Sequence, residues 1–442
     1  MKILSVGYYD DYARFFKFIK NDLQKNDNSI EFKYINIYMS GFLYWLVKEF
    51  EFTNLISYAA WFKVFLYKKK YKNKIKDNIY RDINLDSIIK FDKILNNLDD
   101  GAIKLLKLQA CAYIDIIENI FTTFRPDLLI LSDDSRLVIE IIDSVAKKNN
   151  VKTYYFEQGP FGTTILDKKG VNANASIRDI VLNNNYNDFE KKLKKINQFF
   201  IRAKDFKYKR NPFYRGIDYI LKYIFLVPID LKQYKIKTSN NIYEKLKQTK
   251  KLNSNIFNKD NNILLVLQVP FDVNLIYHSP FFDSHYDIVN SVYKALPNGY
   301  NLIIREHPLY KAKYEKSLYQ LIEKNDNIYI DINSNLNKTI EKSSLVIVNN
   351  STVGIESIAK FKNTVVLGNS YYDKDEICFK LKDKSKLDKL ILRALTENVN
   401  KMLIVDYLYK LCFESLIEGH FRDKNLLAAK NIVKLLRDKD DI

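Results

Sequence analysis

The chain has 442 residues, enough for two or three domains with their own hydrophobic cores. With 47% hydrophobic residues but only 11 Gly and 8 Pro, it is neither disordered, nor collagen-like, nor a turn-rich all-β protein. A formal net charge of +18 favours an anionic partner, and without zinc-ligand spacing or an aromatic RNA-binding signature that partner is not expected to be nucleic acid.

In chain order, Lys2 to Gly7 reads as a short buried strand, Tyr12 to Gln24 as a helix and Glu31 to Ile37 as a strand. Ser40 to Lys76 is aromatic first and strongly basic later, which suggests one or two helices with a basic flank. Gly101 to Phe121 is a long apolar-periodic helix, closed by Pro126 ahead of a core strand at Leu128 to Leu131. A helix over Arg136 to Lys148 and a strand over Lys152 to Phe156 complete a parallel α/β signature. Residues 183–258 are rich in lysine and aromatic residues and read as a basic helical bridge.

The α/β rhythm then restarts. Strands are expected at Ile263–Leu267, Asn301–Arg305, Asn327–Ile332, Leu345–Asn349 and Thr364–Gly368, with helices at Tyr286–Leu296, Lys311–Glu323 and Val353–Lys360 between them. Residues from Lys386 onward are mostly helical. The expected architecture is α/β with two Rossmann-like domains, at 1–182 and 259–385, joined by the bridge and followed by C-terminal helices at 386–442.

Three scattered cysteines, Cys111, Cys378 and Cys412, form no disulfide framework and fit a reducing compartment. The N-terminal MKILSVGYYDDYARFF lacks a signal-peptide pattern, and no apolar run reaches about eighteen residues. A cytoplasmic protein, soluble or peripheral on a membrane, is therefore expected.

Four loops lie just past expected strand ends, where α/β folds bind ligands. Asn349-Asn350-Ser351-Thr352-Val353-Gly354 offers hydroxyls and backbone N–H groups at a helix start, suited to phosphate or to ordinary N-capping. Arg305-Glu306-His307-Pro308 fixes a histidine as a donor to phosphate or ribose; a structural histidine is the plainer reading. Gln268-Val269-Pro270-Phe271-Asp272 sets a carboxylate at a cleft mouth, as nucleophile, base or turn residue, with His278 and Ser279 following closely. Glu157-Gln158-Gly159-Pro160-Phe161-Gly162, continuing to Asn172, lies in the first half, so that Glu157 could face Asp272 across the cleft. Two carboxylates flanking an anomeric carbon suit glycosyl transfer, and Gly159 and Gly162 would let backbone approach a ligand. Asp133-Asp134 reads as a helix N-cap, and no metal site is expected.

The run LQVPFD, HSPF, REHP, NNSTVGIESI and LGNSYYD, over roughly residues 262 to 373, resembles the capsule-polysaccharide synthesis and export family, which includes β-Kdo transferases. The Glu157 and Leu166 segments extend the likeness into the first half. The resemblance implies a GT-B-type fold and a CMP-activated sugar, foremost CMP-Kdo, as donor substrate, with no tightly bound cofactor. It implies His307 and Ser351-Thr352 at the cytidine monophosphate, with Gln268, Pro308, Asn350 and Gly354 around them. It also implies Asp272 near the anomeric carbon with retention of configuration, Glu157 as acid/base, and Arg305 neutralising the carboxylate of Kdo. Gly159, Asn172, His278 and Ser279 would line the acceptor side or cleft. The family's Arg after Glu-x-Gly is missing from Phe161-Gly162-Thr163-Thr164, which leaves the acceptor and the sugar open.

Lys68 to Lys76 and Lys204 to Lys237 interleave cations with Tyr and Phe, a composition suited to an anionic membrane surface, to a plain solvated basic face or, as a third and least favoured reading, to nucleic acid. The expected partners are a nucleotide sugar, a lipid-linked or glycan acceptor, the inner face of the cell membrane and other capsule-assembly proteins. The alternatives are a transferase for another nucleotide-activated sugar or CDP-polyol, and a non-catalytic assembly scaffold.

Overall fold

The structure, a computed structural model, describes residues 1–183, 188–201, 207–221, 227–232, 238–332 and 335–438. Its strands, in chain order, are β1 (Lys2–Gly7), β2 (Glu31–Asn36), β3 (Asn54–Leu55), β4 (Ile79–Tyr80), β5 (Ile83–Asn84), β6 (Leu128–Ser132), β7 (Lys152–Gln158) and β8 (Thr164–Asp167). Then come β9 (Asn262–Val266), β10 (Asn301–Arg305), β11 (Ile328–Ile330), β12 (Leu345–Val348), β13 (Thr364–Val366), β14 (Phe379–Lys380) and β15 (Leu416–Ile417). The chain divides into two compact units. Unit 1 is Met1–Val171, Arg202–Tyr234 and Ser415–Ile442; unit 2 is Asn172–Ile201 and Lys235–Glu414.

Unit 1 is built on a seven-stranded sheet ordered β15-β8-β7-β6-β1-β2-β3. Its strands are parallel except β8 and β15, which run antiparallel to their neighbours. β6 is buried at every position, as expected of a strand covered by helices on both faces. Ile3, Ile130, Tyr154 and Phe156 from the sheet join Phe15, Phe16, Ile19 and Leu23 of the helix Asp10–Asn26, and Ile432, Val433 and Leu436 of the helix Leu427–Asp438, in one core. The last helix thus closes the core that the first strand opens.

Unit 2 carries a six-stranded, all-parallel sheet ordered β11-β10-β9-β12-β13-β14. Ile263, Leu265, Leu302, Ile304, Leu345 and Ile347 pack against Ile288, Val289 and Val292 of the helix His285–Lys294 and against Leu318 and Ile322 of the helix Lys316–Lys324. Burying each such side chain is worth about 1.5–3 kcal/mol. Both units have the doubly wound α/β form that the sequence rhythm predicts. In unit 2 the strand order reverses between β9 and β12, and in unit 1 between β1 and β6, which opens a crevice at the carboxyl ends of those strands.

The units cut across the segments drawn from sequence. Residues 183–258 contribute the helix Phe189–Ile201 and the helix Asn240–Thr249 to unit 2, and the helix Pro212–Leu221 to unit 1. Phe189–Ile201 is tied to the helix Lys401–Lys410 by Lys192 Nζ and Asp406 Oδ1 at 2.5 Å; Pro212–Leu221 is anchored by Arg210, which pairs with Asp10 at 2.5 Å and Asp218 at 2.7 Å. Residues 386–442 divide at 414/415 between the units. The basic stretch Lys204–Lys237 falls partly outside the described residues. The helix expected from Lys311 begins only at Lys316, because His307–Tyr310 forms a tight turn and Ala312 sits at φ +61°.

Candidate functional site

Two loops flank the crevice of unit 2. The chain leaving β9 runs through Leu267 and Gln268 to Asp272, and the chain leaving β12 runs from Asn349 to Thr352 into the helix Val353–Ile358. With His307, beyond β10, they enclose a cavity of about 170 Å³. Gln268, Asp272, His307, Asn350, Ser351 and Thr352 all line it, together with Asn172, Ala173, Val269, Asn274, Ser370 and Tyr371. Sites that enclose a drug-sized ligand measure roughly 300–1,000 Å³; this cavity is smaller.

The walls are cross-tied. Tyr314 Oη accepts from the His307 N–H at 3.0 Å and donates to the Gln268 carbonyl at 2.9 Å, joining the loops after β9 and β10. Asn350 Nδ2 donates to the carbonyls of Asn274 at 2.9 Å and His278 at 3.1 Å, joining the β12 loop to the helix Val273–Tyr277. The Asn369 N–H donates to the His278 carbonyl at 2.7 Å. Tyr372 Oη donates to the Ser351 carbonyl and lies where a Cβ at Gly354 would stand. Gly354 is therefore required by close packing under the loop, and it does not line the cavity.

Within this frame the side chains divide by chemistry. Leu309 N–H donates to His307 Nδ1 at 3.4 Å, which leaves the proton of a neutral ring on Nε2. Burial lowers the His307 pKa, and the nearby Asp272 charge only partly offsets it. His307 is thus a neutral N–H donor at physiological pH. Asp272 stands at the N-terminal end of Val273–Tyr277 without a side-chain capping bond; its Oδ2 accepts from Asn274 Nδ2 at 3.4 Å. The same Asn274 amide donates to Asn172 Oδ1 at 3.4 Å. Gln268 is only 6% exposed, and its Nε2 has no partner among the described residues. A buried unpaired amide costs about 1–3 kcal/mol, so a ligand acceptor oxygen at this position would be favoured. Ser351 Oγ accepts from Val353 N–H at 3.3 Å and keeps its own proton to donate; Thr352 makes no capping bond and is exposed.

Several residues singled out from sequence lie elsewhere. Arg305 pairs with Asp331 at 2.5 Å, an aspartate that also accepts from Thr339 at 3.0 Å, so the guanidinium serves the β10–β11 edge. Pro308 opens the turn behind His307. His278 is buried and holds the loops through its carbonyl, and Ser279 Oγ donates to the Phe282 carbonyl at 2.8 Å. Neither lines the cavity. Asn274, Ser370 and Tyr371 do line it and were not picked out as site residues; Ser370 and Tyr371 stand in the quoted LGNSYYD segment, and Asn274 follows Asp272 by two residues.

Glu157 and Gly159 belong to unit 1. Gly159 donates its N–H to the Thr163 carbonyl at 3.0 Å, and a Cβ there would strike Thr163, so its smallness serves its own turn instead of ligand approach. Gly162 takes φ +77° with open space around its Cβ position. Glu157 ends β7 and its Oε1 accepts from Gln158 N–H at 2.8 Å. Burial, then the charge of Asp133, raises its pKa well above the usual carboxylate range. Asp133 is not the N-cap expected from sequence: Arg136 holds that position, and Asp133 sits at φ +84° with its carboxylate 3.4 Å from Arg136 Nε. Asp134 Oδ2 instead accepts from Val171 N–H at 2.9 Å. Arg136 also lies over the Tyr8 ring, 4.9 Å from its centroid. At the carboxyl edge of the unit 1 sheet, Asp133 and Arg136 therefore pair, and both act on the charge of Glu157. Among the described residues no group of three or more His, Cys, Asp or Glu side chains is arranged to hold a metal ion.

Protein FixF of Sinorhizobium fredii is 24% identical over 175 residues, 39% of this chain and 42% of that protein, so the chain matches less than half of that relative's length. Among solved structures, the beta Kdo 2,7 transferase of Thermosulfurimonas dismutans KpsC is similar at 15% identity and a TM-score of 0.37, over 73% of this chain and 89% of that one. UDP-GlcNAc 2-epimerase of Methanocaldococcus jannaschii, in complex with UDP-GlcNAc and UDP, is similar at 13% identity and a TM-score of 0.35, over 99% and 100% of the two chains. The family of capsule polysaccharide biosynthesis proteins matches residues 128–411, well over half of the sequence, and the protein belongs to that family.

Proposed function

We propose that the protein is a glycosyltransferase of capsular or surface polysaccharide assembly that uses a CMP-activated sugar, with Kdo as the first candidate, and transfers it with retention to a lipid-linked or glycan acceptor. The observation that carries this reading is the unit 2 cavity, where a carboxylate, a neutral imidazole N–H donor, an unpartnered buried amide and two hydroxyls line one small space at a topological switch point.

In this reading Ser351, Thr352 and Gln268 hold the phosphate and ribose, and the His307 Nε2–H donates to a phosphate oxygen. Neutral His307 suits that task because it needs no proton exchange. Asp272 attacks the anomeric carbon as the bond to the CMP oxygen breaks, and CMP departs with the electron pair. The acceptor hydroxyl then attacks the glycosyl–Asp272 ester from the face CMP left, and the carboxylate departs; two inversions give retention. Glu157 takes the acceptor proton. A carboxylate with a raised pKa is the stronger base once ionised.

The test is CMP release from CMP-Kdo with a lipid acceptor, the product being read by mass spectrometry. Asp272→Ala is expected to lower transfer about a thousandfold or more with the fold intact. Full transfer by that variant would remove Asp272 from the chemistry, and transfer from a UDP-sugar but not a CMP-sugar would overturn the donor assignment.

A further inference from the structure

The helix Ile56–Lys74 is apolar on two sides. Ile56, Ala60, Val64 and Tyr71 are buried, and the helix packs along Asp100–Phe124. At about 100° per residue, Phe62, Phe65 and Leu66 fall on the opposite side, where they are 62%, 76% and 54% exposed. Just ahead of the helix, Phe50 and Phe52 are 87% and 84% exposed. An apolar groove of about 640 Å³, lined by Tyr58, Trp61, Phe62, Phe65 and Leu105 with Lys68 beside them, opens next to this stripe.

The charge on the helix is one-signed. It carries lysines 63, 68, 69, 70, 72 and 74 and no carboxylate. Lysines 68, 69, 70, 72 and 74 are exposed, and none is ion-paired among the described residues. A kink at Tyr67, with φ −118° and ψ 24°, separates the aromatic half from the basic half. The whole stretch lies outside residues 128–411 matched by the family.

We propose that this helix docks the protein on an anionic lipid bilayer, with Phe62, Phe65 and Leu66 entering the headgroup–acyl boundary and the following lysines meeting anionic headgroups. An exposed aromatic–aliphatic stripe continued by cations is the composition of an interfacial helix. A second copy of the chain fits less well, because a two-fold pairing would bring two like-charged lysine runs together.

The experiment is co-sedimentation of the full-length protein with phosphatidylcholine vesicles, with and without phosphatidylglycerol. The wild type is expected to sediment with the anionic vesicles at low salt and less so at about 0.5 M salt. The double variant Phe62→Ser, Phe65→Ser and the triple variant Lys68→Glu, Lys69→Glu, Lys70→Glu should each lower the partition coefficient about tenfold or more, with circular dichroism and CMP affinity unchanged. The proposal does not rest on the donor reading: loss of vesicle binding at unchanged CMP affinity supports it, whereas failure to bind CMP touches the donor reading alone. Equal binding to neutral and anionic vesicles overturns it. So does undiminished binding by the phenylalanine variant, or a wild-type dimer that this variant dissociates while vesicle binding persists.

Discussion

At the scale of single residues, the electrostatics separate two carboxylates of interest. Asp272 shares its cavity with a neutral imidazole, whereas burial and then the charge of Asp133 raise the pKa of Glu157. If Glu157 is the base for the acceptor, turnover rises with pH through its raised pKa. Asp133→Asn removes a neighbouring negative charge and should move that rising limb toward lower pH, burial still keeping it above the usual carboxylate range. Glu157→Gln should lower the rate about 100-fold or more. A pH–rate profile of both variants checks this, and an unmoved limb in Asp133→Asn would remove the coupling from the mechanism. Asp133 was hidden in the sequence because a Ser-Asp-Asp-Ser run before a helix has the composition of an ordinary cap. Only its φ of +84° and its pairing with Arg136 distinguish it.

Among the elements, the strand ends position the unit 2 cavity. The order β11-β10-β9-β12-β13-β14 puts the loops after β9 and β12 on either side of the reversal, and Tyr314 clamps the β9 and β10 loops. Tyr314→Phe keeps the ring and strands both a buried N–H and a buried carbonyl, at a cost of about 1–3 kcal/mol. The expected result is a lower melting temperature and a weaker donor affinity with little change in kcat; a donor KM equal to the wild type's would show that the clamp does not position the site. Hydrophobic runs made the strands legible, because parallel strands covered on both faces leave little room for polar residues. The loops after them stand out in sequence by their polar residues, and Asp272, His307, Gln268, Asn350, Ser351 and Thr352 line one cavity. Which neighbours turn inward was not legible. Arg305 is drawn aside by Asp331, 26 residues further on, and His278 is used for its backbone carbonyl; both depend on partners that local spacing does not reveal.

For the whole molecule, the interleaving of the chain was the least readable feature. The helix Leu427–Asp438 completes the core of unit 1, a contact with residues some 400 positions earlier that no local pattern encodes. Unit 1 also buries two acids that ionise at a cost: burial pushes Asp92 up to about 7 and Asp230 up to about 6. Because the folded unit binds more protons than the unfolded chain between the ordinary carboxylate pKa and these raised values, stability falls as pH rises through that window. The melting temperature is expected to be lower at pH 8 than at pH 5 by about 5 °C, and Asp92→Asn should remove part of that difference. An Asp92→Asn variant whose melting temperature keeps the wild type's full pH dependence would contradict the placement of that acid.

We propose that unit 2 receives the nucleotide end of a cytidine-linked donor through His307, Ser351 and Thr352. Calorimetric titration of the full-length protein with CMP, CDP, UDP and GDP, repeated on His307→Ala and on the double variant Ser351→Ala, Thr352→Ala, tests it most directly. CMP is expected to bind more tightly than UDP and GDP, and about tenfold more weakly to both variants than to the wild type. Indifference to the base, or CMP affinity untouched by the three substitutions, would contradict it.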